Sequence, residues 1–568
     1  MSQALLLAIW LWPLALATVA HRPGLHWAPA AGALPALIGL LLLPGEVPTL
    51  EIPAMLLGAA VGLDALGRGF LAFSGPLWLI TGLFIGDRAR RGDQGGRLRT
   101  LFLLAMSGNL MLILAADGPS FYVGFALMGL AAYGLVVDGG GEARRRAARL
   151  YLAWTLVGEV LIFSGLVLVA QRSGGDLGLA ALAAGTAGSG LAFAAFLAGF
   201  GIKAGLFGLH VWLPVTYGQA PSAAAAILAS AMIKAGLLGW LRFLPLGGEP
   251  LPVWGDTLAA LGLAAVAGAS LVGLTQRLPG AILGYSSLAK MGILVLGLGL
   301  ILREPALAPA GTLALTLFAA HHALVKGGLF LGIGLGHHLP PASARRPWIW
   351  LGLALLALAI ADAPFSSGAL AKQALAPLVV ASGWPWLKPA LALATLGTAL
   401  LMARLAWVVW QAQEDPSRAD APTRPCTACA WAWVALIVTV IAFPFVLGGR
   451  TAPAGTPWPL VLGAALAAAV ALVARRRPEW TGRLVGLIPP GDLLHLARVL
   501  EPLGGRLASG WSRLWERADR YGRERLAALA ARRTGWPADP DRLADAWPLI
   551  GALWLGCLGL LGVLLALA

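Results

Sequence analysis

The chain contains six lysines among 568 residues, and five of the six lie inside apolar stretches. The six are Lys203, Lys234, Lys290, Lys326, Lys372 and Lys388. A cationic side chain at mid-membrane depth costs several kcal/mol, so such a residue is usually retained for function. Lysine is also the cation whose pKa changes most readily on burial. We therefore interpret the buried lysines as groups that take up and release protons inside a membrane.

Acidic and imidazole side chains accompany these lysines. The candidates are Glu159, Asp362, His210, His321 and His322. A nearby carboxylate favours the charged form of a lysine, and two charges about 6–8 Å apart interact by about 2–3 kcal/mol at an effective dielectric near 20. A row of such groups can therefore pass a proton from one member to the next.

Each candidate also has a purely structural interpretation. An intramembrane lysine can snorkel or form a structural ion pair, which applies to Lys290 more than to Lys234 or Lys326. The carboxylate of Glu159 can likewise be a structural partner. For the adjacent histidines, helix packing or contact with water is favoured over metal binding, because no spacing resembles a zinc or haem site. A structural explanation for all these groups together is less favoured than one for any single group.

The composition requires a membrane to hold these residues. Hydrophobic residues make up 59% of the chain, charged residues 12%, and the mean hydropathy is +0.80. These values are typical of a polytopic, all-α membrane protein. Because a span needs about 20 apolar residues, we predict sixteen transmembrane helices. Their approximate bounds are 3–20, 28–45, 66–86, 100–116, 120–138, 149–170, 186–214, 222–246, 256–274, 280–302, 309–336, 348–382, 387–410, 429–448, 457–474 and 547–567.

Some stretches allow further predictions. Residues 50–64 are ambiguous between a short re-entrant piece and part of the third span. The first stretch, Leu5 to Ala20, lacks a basic segment before it, so we expect a retained helix and not a cleaved signal peptide. Lys203, Lys234, Lys290 and Lys326 are each expected near the middle of a helix. Pro214 is expected to end the Lys203 helix, and the run 348–382 is expected to be a broken helix with Lys372 beside the break.

Arginines between the spans indicate the orientation. With sixteen spans all the arginine clusters fall on one side; they lie at 88–99, 144–149, 277, 345–346, 418–424 and 475–477. By the positive-inside rule this side is cytoplasmic, so both termini face outward across a bacterial inner membrane. The net charge of +15 is explained by these loops, and without a recognised nucleic-acid-binding module we expect no nucleic acid partner.

Two remaining features lie outside the lysine pattern. Cys426 and Cys429 form a CxxC motif without a second pair or nearby histidines, so we interpret it as a chance or surface thiol pair without a metal or redox role.

Residues 490–535 repeat leucines at steps of three or four between arginines and glutamates. We predict an amphipathic helix on the membrane surface, with a loosely ordered linker as the alternative.

The segment from Lys203 to Arg242 carries a family resemblance. Its marks are Lys203, the run His210-Val-Trp-Leu-Pro214, the run Ala220-Pro221-Ser222, and Lys234-Ala-Gly. Further marks are Gly284-Tyr-Ser-Ser287, His322-Ala-Leu-Val-Lys326 and Ala363-Pro-Phe-Ser-Ser-Gly368 through Lys372. Over roughly residues 60–410 the chain resembles the proton-translocating, antiporter-like subunits of respiratory complex I and their relatives in cation/proton antiporters and membrane-bound hydrogenases.

The resemblance implies a core of fourteen helices with two inverted five-helix repeats and a hydrated polar axis. It implies that Lys203 is the central lysine of the first broken helix, Lys234 the connecting lysine, Lys326 a further relay and Lys372 the terminal lysine. The expected divisions are N-terminal helices at 1–99, repeats at 100–246 and 256–410, C-terminal core helices at 429–474, the amphipathic helix at 490–535 and a final transmembrane helix at 547–568. The last two resemble the lateral arm of the largest such subunit.

Two positions depart from the family pattern. The family usually carries a glutamate on its fifth helix that pairs with the first lysine, and this chain has Ala126 there. Glu159, one helix later, is the candidate replacement; otherwise the first half-channel is altered and Lys203 lacks its usual partner. Lys290 occupies a position that is commonly uncharged.

We therefore predict a membrane subunit that conducts protons along Lys203, Lys234, Lys326 and Lys372, with Glu159 and His322 assisting and Lys290 and His210 as further pathway candidates. No nucleotide, flavin or metal motif is found, so we expect no cofactor, and we assign the driving chemistry to other membrane and soluble subunits, as in an NADH-quinone oxidoreductase. The chain is not expected to be a catalyst alone. The alternatives are a sodium/proton antiporter subunit, a proton-conducting partner of a soluble subunit in inorganic-carbon uptake, and a structural anchor.

Overall fold

A computed structural model describes residues 2–53, 58–91, 95–337, 339, 343–413, 426–447, 456–476 and 487–491. Nearly all described elements are α-helices, as the composition predicts. Their bounds are α1 Ser2–Val19, α2 Ala28–Ala31, α3 Leu34–Leu42, α4 Ala65–Arg91, α5 Gly95–Leu114, α6 Gly118–Val137, α7 Glu142–Arg172, α8 Leu179–Ala187, α9 Gly190–Ala204, α10 Trp212–Gln219, α11 Ser222–Ile227, α12 Lys234–Phe243, α13 Pro252–Leu274, α14 Pro279–Arg303, α15 Ala308–His337, α16 Arg346–Ile360, α17 Ser367–Ala374, α18 Ala376–Ala381, α19 Leu387–Gln413, α20 Thr427–Leu447 and α21 Trp458–Arg476.

Eleven of the described helices are long and apolar enough to cross a membrane, or twelve if the bent pair α8–α9 counts as one span. Most predicted spans coincide with these helices, so the prediction of a polytopic helical membrane protein is confirmed. The predicted span 28–45 is instead two short helices, α2 and α3, which are separated at Gly32. The predicted final span at 547–567 and, apart from residues 490–491, the amphipathic segment 490–535 lie outside the described residues.

The ambiguous stretch at 50–64 is neither a re-entrant helix nor part of a span. It forms an antiparallel hairpin of β1, Val47–Ile52, and β2, Ala59–Leu63, with Val47 opposite Leu63 and Ile52 opposite Ala59. The strand β2 alternates buried and partly buried residues, which is the period of a strand and not of a helix. Val61 also bridges to Ala115 at the end of α5, so the hairpin covers one end of that helix.

Glycines set the closest helix contacts. A Cβ on Gly262 of α13 would lie 2.4 Å from the carbonyl oxygen of Gly292 on α14, and one on Gly255 would lie 2.6 Å from that of Gly299. Only a residue without a side chain permits this approach, as is common between membrane helices. The pair α13–α14 is thereby fixed, and α14 carries Lys290 into the centre of the protein.

The helix breaks surround the candidate lysines. The helices α8 and α9 meet at a bend of 118°, and α9 ends where Gly205 takes the left-handed conformation with φ of 74°. Lys203 is therefore in the last turn of α9 and not at a helix centre, and Pro214 does not end this helix because it lies inside α10. Both sequence predictions were wrong, since a glycine that adopts positive φ ended the helix earlier than the proline.

The second break precedes Lys234. A π-helical turn, Leu228–Met232, joins α11 to α12, and Lys234 is the first residue of α12. Lys234 therefore lies near the middle of the span Ser222–Phe243, as expected, directly after the π-turn that interrupts this span. Single π-turns leave backbone groups out of the regular pattern and are frequent at functional sites.

The third break was predicted correctly. The run 348–382 divides into α16, α17 and α18, and the turn between α16 and α17 holds two residues with positive φ, Asp362 at 57° and Phe365 at 63°. Such conformations are uncommon for residues with side chains and are found where the surrounding structure imposes them. Lys372 lies in the last turn of α17, close to the break. Lys290 and Lys326 lie near the middle of α14 and α15, as expected.

Candidate functional site: a buried network of lysines, histidines and carboxylates

The lysines are withdrawn from the surface as predicted. Lys234, Lys290 and Lys326 are 0% exposed, and Lys203 is 3% exposed. Lys372 is half-buried, and Lys388, at the start of α19, is exposed. Lys372 therefore lies where a buried path could open to the aqueous phase. Lys388 is a lysine that does not belong to the network.

Lys234 and His322 form the centre of the network. The Lys234 Nζ is 2.8 Å from Nδ1 of His322, and both residues are 0% exposed. These two nitrogens can each hold a proton, so the hydrogen bond joins a donor and an acceptor that can exchange roles. It also joins α12 to α15, two helices whose contacting residues are 88 positions apart in the sequence.

Lys326 lies one helical turn beyond His322 on α15. Its ammonium donates to the carbonyl oxygen of Leu283 on α14, at 2.9 Å. Next to it, a Cβ on Gly327 would lie 3.7 Å from the side chain of Ser230, so this part of α15 packs on the π-turn before Lys234. Lys326 is also near enough to Lys234 and Lys290 for the charges to interact. The three lysines are held in one region by three different helices.

A carboxylate joins the next two lysines. Lys290 Nζ donates to Oδ1 of Asp362 at 2.9 Å, with side chains 0% and 4% exposed. The hydroxyl of Thr395 on α19 donates to Oδ2 of Asp362 at 2.8 Å and accepts from Nζ of Lys372, also at 2.8 Å. Lys372 further donates to the carbonyl oxygen of Leu391. The result is a continuous chain of hydrogen bonds from Lys290 through Asp362 and Thr395 to Lys372.

His321 connects to the same break by a different contact. Its Nδ1 is 2.8 Å from the hydroxyl of Ser367 at the start of α17, and the histidine is 0% exposed. Its charge environment includes Lys290 and Asp362. His321 and His322 therefore face different partners, and no described group of metal-ligating side chains includes either.

The first half of the protein arranges Lys203 differently. Lys203 Nζ donates to the Tyr151 hydroxyl at 2.8 Å, and that hydroxyl donates to the Gly129 carbonyl oxygen at 3.1 Å. A Cβ on Gly129 would lie 2.9 Å from Oε1 of Glu159 and 4.0 Å from Nζ of Lys203, so both charged groups flank the same glycine. Among the described residues, Oε1 of Glu159 has no hydrogen-bond partner. The carboxylate is close to Lys203 without bonding to it.

The residues of α6 beside Lys203 show what replaces the family's glutamate, whose position is occupied by Ala126 in this chain. Phe125 and Gly129 are the residues of α6 beside the lysine, and Nζ lies 5.9 Å from the centre of the Phe125 ring. The glycine leaves the space into which Glu159 reaches from α7. Glu159 therefore lies near the first lysine, as the sequence suggested, although the hydrogen-bond partner of the lysine is Tyr151 and not Glu159.

Lys203 and Lys234 lie on helices in direct contact. A Cβ on Gly236 of α12 would lie 2.5 Å from the carbonyl oxygen of Phe200 and 2.8 Å from the backbone nitrogen of Ala204 on α9. No hydrogen bond connects the two lysines among the described residues. A proton passing between them therefore requires water or a change of side-chain conformation.

His210 lies in the turn between α9 and α10, with 0% exposure. Its Nδ1 accepts from the backbone nitrogen of Gly208 at 3.3 Å, and its ring stacks on Phe207 at 5.5 Å. A Cβ on Gly205 would lie 4.0 Å from that of His210. The structure thus places His210 beside the end of the Lys203 helix, in local contacts with the turn that follows it.

Sequence reasoning missed two members of the network, Tyr151 and Thr395, and named Asp362 as a candidate without including it in the predicted pathway. A buried tyrosine or threonine in a membrane helix is ordinary, so neither carries a signal by itself. Asp362 did carry one, because a carboxylate within an apolar run before a proline is costly and must be paired.

The cysteines are also arranged differently from the prediction. Cys426 and Cys429 are joined in a disulfide at the start of α20, so the expectation of a thiol pair was wrong. Their Cα atoms are 5.2 Å apart, within the range that a disulfide spans, because positions i and i+3 of a first helical turn lie on one side.

Comparison with known proteins agrees with this arrangement. The family model for the transmembrane region of NADH:quinone oxidoreductase and Mrp antiporters matches residues 115–400, which is half of the chain and contains every lysine of the network. The chain is 31% identical over 297 residues to hydrogenase-4 component B of Escherichia coli, covering 48% of this chain and 44% of that protein. It is 27% identical over 415 residues to NADH-quinone oxidoreductase subunit N of Ectopseudomonas mendocina, covering 68% of this chain and 81% of that protein.

A solved structure has a similar fold. A chain of the membrane-bound sulfane sulfur reductase, an archaeal respiratory membrane complex, superposes with a TM-score of 0.68 at 20% identity, covering 97% of this chain and 99% of that chain. For the curated relatives that match at 31 to 34% identity, this chain spans 42 to 56% of their length. On the family match, the chain belongs to the NADH:quinone oxidoreductase/Mrp antiporter family of membrane proteins.

Proposed function

We propose that the chain conducts protons across the membrane through its buried lysines, as one subunit of a larger membrane complex. Two sets of buried contacts carry the proposal: the hydrogen bond between Lys234 and His322, and the chain that joins Lys290 to Lys372 through Asp362 and Thr395. Each contact joins groups that can exchange a proton. Buried ionisable residues of this kind are costly and mark ion or proton pathways in membrane proteins.

The order of the groups follows from their burial. Lys372 is the half-buried end and exchanges protons with one aqueous side. Asp362 holds the positive charges of Lys290 and Lys372 near one another, and Lys326 and the Lys234–His322 pair continue the path toward the first half. Lys203 takes the proton at the far end, where Glu159 stabilises its charged form. Water fills the step between Lys203 and Lys234.

The driving energy comes from partner subunits in this proposal. The matched relatives are described as a hydrogenase component and a quinone oxidoreductase subunit, which are parts of multi-subunit complexes. We propose that this chain is likewise assembled in a bacterial inner membrane, with its basic side in the cytoplasm and both termini outside. In this proposal the described network conducts protons, and the driving reaction takes place in the partner subunits.

The test is proton flux through the assembled complex in proteoliposomes, driven by its natural reaction or by an imposed gradient. We expect Lys203→Ala and Lys372→Ala each to reduce flux at least tenfold, because each removes an end of the path. Lys388→Ala is the matched control; it removes an exposed lysine of the same type and should leave flux unchanged. Unchanged flux in both network variants would overturn the proposal and favour a structural anchor.

The same vesicles distinguish conduction from antiport. With sodium on the opposite side, an antiporter moves sodium against the proton flow, and its proton flux depends on the sodium concentration. We expect flux that is independent of sodium. Sodium counterflow lost in Lys372→Ala and kept in Lys388→Ala would replace proton conduction by sodium/proton exchange.

A further inference from the structure

A large cleft opens on the basic side of the protein, away from the lysine network. Its volume is about 1050 Å³, and it lies where the ends of α4, α6 and α15 meet the beginnings of α16 and α20. The walls are of two kinds. Charged side chains, among them Arg88, Arg97, Arg145 and Arg345, line the end nearest the loops, and apolar side chains of α16 and α20 line the rest.

Two of the arginines are available to a ligand. Arg88 is paired with Asp138 at 2.7 Å, and Arg145 contacts Glu142 at 3.5 Å. The guanidinium groups of Arg97 and Arg345 make no hydrogen bond or ion pair with any residue that the structure describes. Four arginines against the carboxylates of Asp87 and Asp138 leave the charged end of the cleft net positive.

The apolar part of the cleft is open to the lipid side. Trp348 and Leu351 of α16 are 70% and 50% exposed, and Val434 and Val438 of α20 are 41% and 57% exposed. Arg345 immediately precedes α16, and Leu355 in the same wall is ten residues further, about 15 Å along a helix. The cleft therefore presents positive charge at one end and an apolar surface at the other. The apolar surface is about 15 Å long, which is half of the roughly 30 Å thickness of a bilayer's hydrocarbon core.

We propose that this cleft binds one anionic phospholipid, with the phosphate at Arg97 and Arg345 and the acyl chains along α16 and α20. Guanidinium groups recognise phosphate oxygens in a fixed geometry. Basic clefts between membrane helices on the cytoplasmic side are suited to acidic headgroups. Trp348 lies at the level where an indole prefers the interface between headgroups and chains. A free phosphate would satisfy the arginines and leave the apolar walls uncovered, so a lipid matches both parts.

The experiment measures phosphatidylglycerol binding to the purified full-length protein in detergent by native mass spectrometry. We expect Arg97→Ala combined with Arg345→Ala to weaken binding about 25-fold, from about fivefold for each basic residue near an anionic lipid. The control combines Arg90→Ala with Arg146→Ala, two exposed arginines of the same side that do not line the cleft, and should leave the affinity unchanged. Phosphatidylcholine should bind wild type more weakly than phosphatidylglycerol does, by a factor similar to the loss in the cleft variant.

Three results would overturn the proposal. Equal binding of phosphatidylcholine and phosphatidylglycerol would show that the arginines do not select the headgroup. An equal loss in the control pair would show a general effect of net charge. Displacement of phosphatidylglycerol by inorganic phosphate at similar concentration would show that the apolar walls contribute nothing.

Discussion

The ion pair between Lys290 and Asp362 allows the most direct test of the network. Asp362→Asn keeps the size and shape of the side chain and removes its charge. In the structure the Asp362 side chain is 4% exposed. Its carboxylate accepts from Lys290 at 2.9 Å on one oxygen and from Thr395 at 2.8 Å on the other. The amide can still accept from Lys290, but its nitrogen cannot accept from the threonine hydroxyl.

The expected cost follows from the geometry. Two unit charges 2.9 Å apart interact by about 6 kcal/mol at an effective dielectric near 20. Part of this attraction only repays the removal of both charges from water, and breaking one side of a buried pair typically costs about 3–5 kcal/mol. We therefore expect Asp362→Asn to lower the free energy of unfolding by about 3–5 kcal/mol. Lys290→Met, which removes the lysine that bonds directly to the carboxylate, should cost a similar amount.

The assay is a double-mutant cycle, with unfolding free energies measured in bicelles for both single variants and the double variant. Removing both charges leaves no unpaired ion, so the double variant should be less destabilised than the sum of the single variants by about 3 kcal/mol. A coupling energy below about 0.5 kcal/mol, the level at which independent sites add, would refute the charged pair.

Three further predictions concern neutral members of the network. Thr395→Val removes the hydroxyl between Asp362 and Lys372, so proton flux should fall about tenfold, whereas Thr398→Val, whose hydroxyl only bonds within its own helix, should leave flux unchanged. Tyr151→Phe removes the acceptor of a buried ammonium, and thermal denaturation should show a loss of about 1.5–3 kcal/mol. Gly129→Ala places a methyl 2.9 Å from a carboxylate oxygen, so flux should fall while the protein still elutes as a folded species in size-exclusion chromatography.

The lysines could be found from the sequence because their signal is local. A charge in a long apolar stretch is visible without knowing what lies beside it, and its energetic cost makes a structural reason or a function necessary. The same argument identified Glu159 and His322, and the structure places both beside lysines. The break near Lys372 was also visible, because proline and glycine interrupt an apolar run that is too long for one span.

The remaining features depend on contacts between distant segments. Asp362 reaches Lys290 across 72 positions and Thr395 across 33, so no local pattern links the three. Tyr151 bonds to Lys203 across 52 positions. The end of α9 was misplaced for another reason: Pro214 is a conspicuous helix breaker, but prolines are tolerated in the first turn of a helix, and the actual break is Gly205.

The two halves of the network hold their charge in different ways, and this difference has a consequence for conduction. In the second half one carboxylate lies between two lysines, so with all three charged that group of side chains carries one net positive charge. In the first half Glu159 and Lys203 balance each other at a separation of at most about 7 Å, where the attraction is about 2 kcal/mol. On the proposed path, a proton that arrives at Lys234 between the two halves is repelled from the second half and meets no net charge in the first. Neutralising Glu159 removes that balance, because Lys203 then repels the arriving proton as well. We therefore expect Glu159→Gln to reduce proton flux, even though the substitution is remote from Lys234. Equal flux in Glu159→Gln and wild type would show that the charge of the first half does not affect proton transfer at Lys234.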